Sequence, residues 1–96
     1  LHDALPICQS LDIAKQIKVS QLKLYCHNIL SSTDWKILRH KEEIELGMTT
    51  SLTTEEYEAL LSQRHNFREW SNTLENTINS LSTVDEVKST EIKYVL

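Results

Sequence analysis

Ninety-six residues suffice for one domain and are too few for two, and a chain of this size buries little more than ~60% of its unfolded surface, so its core is thin. One Gly and one Pro among them leave few places to turn, which favours long helices over a many-stranded sheet. The formal charge of −4, without a concentrated basic face, argues against binding to nucleic-acid backbones.

No apolar run is long enough for a membrane span, and no charged segment precedes an apolar stretch as in a signal peptide. The expectation is therefore a soluble, intracellular chain. Cys8 and Cys26 lie 18 positions apart without a CxxC motif, so they read as small apolar groups rather than a disulfide framework.

From Ser10 to Leu30, the positions Leu11, Ala14, Ile17, Leu22, Tyr25, Cys26 and Ile29 recur mostly at three- and four-residue steps, which predicts a first helix with Ser10 as its cap. Val19 and Leu24 widen its apolar face. Thr33 or Asp34 then reads as the N-cap of a short second helix that Gly47 closes. Trp35, Ile37, Leu38 and Ile44 would form its buried side, with Trp35 as a core anchor; a strand over DWKILRH is the alternative. Glu42, Glu43 and Glu45 sit at the end that the macrodipole disfavours, so fraying is expected there.

The strongest local signal is SLTTEEYEALL. Thr53 and Glu56 have the spacing of a capping box, and Leu52 and Tyr57 stand at the staple positions. Tyr57, Leu60, Arg64, Phe67, Ser71, Leu74, Ile78 and Leu81 follow at steps of 3, 4, 3, 4, 3, 4 and 3, a heptad seam that Arg64 and Ser71 interrupt. Leu61 and Trp70 broaden it. Ser, Thr and Asn crowd residues 71–83 and predict an early helix end. The reading for the remainder, 83–96, is a polar tail whose EIKYVL end is either a short strand or an extended strap.

The fold class predicted is all-α: two long helices and one short helix in a small hairpin or bundle, with an extended C-terminal tail. Residues 9–82 form its single domain.

Candidates for chemistry are sparse. His2, His27, His40 and His65 include no i,i+4 pair and no HExxH, and Cys26 and His27 diverge by roughly 100° on a helix. No Gly-flanked nucleophile or phosphate-binding loop is present. Catalytic, metal and cofactor sites are therefore expected to be none. Lys36, Arg39, His40 and Lys41 read as one side of a mixed-charge face, and Arg64 and Arg68 as partners in local ion pairs with nearby Glu residues.

STDWKILRH followed by GMTTSLTTEEYEALLSQRHNFRE resembles the C-terminal segment of bacteriophage tail assembly chaperone and tail fibre assembly proteins. The matching positions are Thr33, Asp34, Trp35, Ile37, Leu38 and Arg39, then Leu52, Glu56, Tyr57, Leu60, Leu61, Arg64 and Arg68. The resemblance covers about residues 13–70; beyond Arg68 such proteins usually finish soon, whereas this chain continues to Leu96. It implies a non-enzymatic assembly protein of the host bacterial cytoplasm. Asp34, Trp35, Arg39, Tyr57, Leu60, Leu61, Arg64 and Arg68 would build its core or meet a tail or tail-fibre protein. The alternatives are a self-associating helical dimer built on the heptad seam, and a small viral inhibitor of a host protein. Neither nucleic acid nor membrane is expected as a partner.

The opening LHDALPI reverse-translates to CTA CAC GAC GCT CTT CCG ATC, which resembles the end of a sequencing adapter, with Cys8 at the join. Residues 1–8 are thus expected to be a non-native leader on the C-terminal part of a longer protein. Without LHDALPI, whose one charged residue is Asp3, the formal charge becomes −3.

Overall fold

The computed structural model describes residues 7–94, with side chains from residue 10 onward. Three helices follow in order: α1, Ile7–Glu45; α2, Thr54–Ser80; and α3, Val84–Ser89. Residues 90–94 then run extended, and no strand occurs among the described residues. The all-α class and the two-long, one-short count hold. Expectations about residues 1–6 and the Cys8 side chain lie outside what is described.

The short helix is not where the sequence spacing put it. No separate helix starts at Thr33 or Asp34; α1 continues through them for 39 residues. Ser32 and Thr33 turn their hydroxyls back onto the Ile29 and Leu30 carbonyls, at 2.6 and 3.3 Å, instead of forward onto free amides. A hydroxyl used in this way leaves Ser and Thr compatible with a helix interior. No Gly or Pro lies within Ile7–Glu45, so nothing in the sequence interrupts the helix.

Gly47 closes α1 at φ +67°, donating to the Ile44 carbonyl at 3.0 Å while Met48 donates to Glu43 at 2.9 Å. That pair of bonds is a Schellman closure, which ties down the end expected to fray. The Thr53 capping box then opens α2: Thr53 N donates to Glu56 Oε1 at 2.9 Å, and Glu56 N to Thr53 Oγ1 at 3.1 Å. Contrary to its low propensity, α2 persists to Ser80. Thr77 and Ser80 again back-bond to helix carbonyls.

α2 lies antiparallel to α1, as the links from Arg64 to Leu30 and from Lys15 to Asn79 require. Every member of the heptad seam is buried or half-buried. Its polar interruptions have partners across the interface: Arg64 donates to α1, and Ser71 Oγ accepts from Cys26 Sγ at 3.0 Å.

The region read as a polar tail supplies the third wall of the core. Thr83 and Glu86 form a second capping box that starts α3. Leu22 of α1, Ile78 of α2 and Val87 of α3 are 0%, 0% and 1% exposed and meet as one cluster. Two lysines of α1 serve the C-terminal ends of the other helices. Lys15 Nζ donates to the Asn79 carbonyl at 2.7 Å and Lys18 Nζ to the Thr90 carbonyl at 3.0 Å, placing cations where the helix dipoles favour them.

Beyond α3 the chain is a strap, one of the two forms expected. Tyr94 N donates to the Tyr25 hydroxyl at 3.0 Å, and the Tyr94 ring packs on Phe67 and Trp70 with centroids 5.0 and 5.1 Å apart. Edge and tilted contacts of this kind suit the aromatic quadrupole. The molecule is a rod of 66 × 22 × 14 Å.

Candidate interaction surface

Arg64 is the centre of a polar clasp between the long helices. Its Nη1 donates to the Leu30 carbonyl at 2.9 Å and to Thr33 Oγ1 at 2.6 Å; its Nη2 donates to Asp34 Oδ1 at 2.6 Å. The planar guanidinium supplies several donors in a fixed fork, which suits three acceptors spread over one helical turn. Its partner is therefore across the hairpin rather than on its own helix. The local ion-pair reading fails for Arg64, while Arg68 is exposed on the surface.

A second cluster lies toward the turn. Glu43, 8% exposed, accepts from Ser51 N and Ser51 Oγ, both at 2.9 Å, and from Arg39 Nε at 3.3 Å. The Ser51 backbone amide, then the Ser51 hydroxyl and Arg39, favour the ionised carboxylate and hold its pKa below the ordinary 4.5, against the opposing effect of desolvation. Glu43 thus staples the loop to α1, a role its place in an acidic run did not announce. Next to it, His40 is buried and stacks on Tyr57 with ring centroids 3.9 Å apart, its Nδ1 lacking a hydrogen-bond partner. The mixed-charge face is thus only partly solvated.

Leu60 and Tyr57 are half-buried between the helices, as expected. Trp35 is not a core anchor. It is 55% exposed, and its indole N–H is satisfied by the Ser32 carbonyl of its own helix at 3.1 Å. Leu38 and Ile44, expected inside, are 60% and 58% exposed, and Leu61 is 41% exposed. The cause is the continuity of α1: without a break near Thr33, its inward face passes through Ile29, Thr33, Ile37 and His40, and Trp35 and Leu38 fall outside.

His27 and His65 lie on the surface, and no group of three His, Cys, Asp or Glu side chains is arranged to hold a metal among the described residues. No helix there is long and apolar enough to cross a membrane. What the surface offers is apolar area. Leu46 and Met48, 73% and 57% exposed, flank Gly47 beside Ile44 at the tip of the hairpin. No protein-family model, curated protein or solved structure matches this chain.

Proposed function

We propose that this chain is a non-enzymatic assembly factor of the bacteriophage tail or tail-fibre kind, acting in the host cytoplasm by protein–protein contact. The carrying observation is the hairpin tip. Ile44, Leu46 and Met48 project large apolar side chains from a turn held by the Schellman closure, the Glu43 bonds to Ser51 and the Thr53 capping box. Water-exposed apolar side chains on a preorganised turn favour a partner, because burying them gains hydrophobic free energy at little ordering cost.

The resemblance to tail assembly proteins supplies the class of partner. Its two separated segments touch in this fold, since Arg64 reaches both Thr33 and Asp34. That contact supports reading them as one structural unit. The α2 seam packs within the chain, which favours the hairpin tip over the seam as the contact surface.

Co-expression with the tail and tail-fibre proteins encoded beside it tests the reading. One of them is expected to co-purify, and the double variant L46D/M48D to weaken capture at least ~10-fold, the loss of two apolar anchors, each costing on the order of 1 kcal/mol or more. Its helical content should not change, since both side chains are exposed. Absence of any tail or fibre protein, or capture indifferent to the double variant, would overturn the proposal.

A further inference from the structure

The strap that follows α3 runs in the same direction as α1. Lys18 Nζ donates to the Thr90 carbonyl near its start, and Tyr94 N donates to the Tyr25 hydroxyl near its end. From Thr90 to Tyr94 the strap advances about 13 Å as extended chain, and from Lys18 to Tyr25 α1 advances about 10 Å, so the two keep pace. Its side chains alternate. Thr90, Ile92 and Tyr94 are half-buried while Glu91 and Lys93 are exposed, the two-residue period of an extended chain with one face against the helices. Ile92 packs on the Leu22 cluster and Tyr94 on Phe67 and Trp70. Continued through Val95 and Leu96, which follow the described residues, that period turns Val95 outward and Leu96 inward.

Directly ahead lies an apolar cleft between α1 and α2. Ile29, Leu30, Leu60, Arg64 and Phe67 line it, and Tyr94 stands at its near end. Its volume of about 160 Å³ is close to the ~150 Å³ that accommodates a benzene-sized group in an apolar site, so it has room for one large aliphatic side chain. Along α1, Ile29 stands about 6 Å past Tyr25, and two further residues of extended chain cover about 6–7 Å. Leu96 therefore reaches the cleft with no change in the course of the strap.

We infer that Leu96 fills this cleft. Its tether selects it as the occupant: two residues of chain connect it to Tyr94, which gives it an effective concentration on the order of millimolar at the cleft, above that of any free apolar partner in dilute solution. The strap then latches the two long helices together one turn beyond Tyr94. It also shields the bonds of Arg64 to Thr33 and to the Leu30 carbonyl from water, which strengthens them by lowering the local dielectric. The inference is independent of the tail partner, whose surface is the hairpin tip.

In NOE spectra of the isotopically labelled full chain, the Leu96 methyl protons are expected to contact the Leu60 methyls and the Phe67 ring. In urea denaturation L96D should raise the unfolding equilibrium constant at least ~10-fold, because it sets a carboxylate against an apolar cleft. V95D, on the outward face, should change it less than ~3-fold. Absence of those NOE contacts in the unsubstituted chain, or an effect of L96D no larger than that of V95D, would overturn the inference. So would cleft protons that contact a second copy or a co-purified tail protein in place of Leu96.

Discussion

Replacing Val87 by Asp is expected to remove about 3–5 kcal/mol of stability, a large share of the roughly 5–15 kcal/mol typical of a domain this size. Val87 is 1% exposed and touches the fully buried Leu22 and Ile78. A carboxylate there would be desolvated against Leu22 and Ile78, so the least costly response is for α3 to leave the hairpin. A six-residue helix does not persist alone, and its departure uncovers Leu22 and Ile78, each contributing about 1.5–3 kcal/mol when fully buried.

V87A separates the two effects. It leaves a small cavity, costs about 1–3 kcal/mol and keeps α3 docked. In urea denaturation V87A should lower the midpoint at unchanged slope. V87D should also reduce the slope, because its native state already exposes surface. Parental curves for V87D would mean that α3 is not part of the core.

The second large effect is expected at Arg64. Its side chain is 12% exposed and holds three acceptors on α1, of which the Asp34 carboxylate is 58% exposed and so screened by solvent. R64A should cost about 1–3 kcal/mol, most of it from the bonds to Thr33 and the Leu30 carbonyl rather than from the ion pair. A double-mutant cycle tests that division: coupling of Arg64 with Asp34 should be below ~1 kcal/mol, and coupling with Thr33 should exceed it. R64K should recover little, since one ammonium cannot reproduce a fork spread over three acceptors. A neutral R64A would show that the clasp does not hold the helices together.

These two sites also mark where sequence reading succeeded and where it stopped. The α2 seam was legible to the residue, because a capping box and a heptad period are local patterns with few alternatives. The same TxxE spacing at Thr83 and Glu86 announced α3 as clearly, but the polar residues around it hid the signal, and so did the single core side chain it contributes. The failure near Thr33 had another origin. Ser and Thr favour helix starts, yet their hydroxyls can equally bond backward, and only the neighbouring Arg64 makes that choice pay.

Trp35 followed from that error. A helix restarted at Thr33 could turn Trp35 inward, whereas a continuous α1 cannot, because Thr33, Ile37 and His40 already occupy its inner face. Glu43 was equally illegible: in sequence it is one of three acidic residues near a helix end, and only the return of the loop at Ser51 distinguishes it.

An uninterrupted α1 presents a second apolar face to solvent. Hydroxyl-radical footprinting of the dilute, unmodified chain tests this directly by comparing its two tryptophans. Trp35, 55% exposed, should be labelled several-fold faster than Trp70, which packs among Tyr25, Phe67 and Tyr94. Labelling of Trp35 as slow as that of Trp70 at the lowest concentration would place it in the core and contradict an outward-facing apolar stripe on a continuous α1.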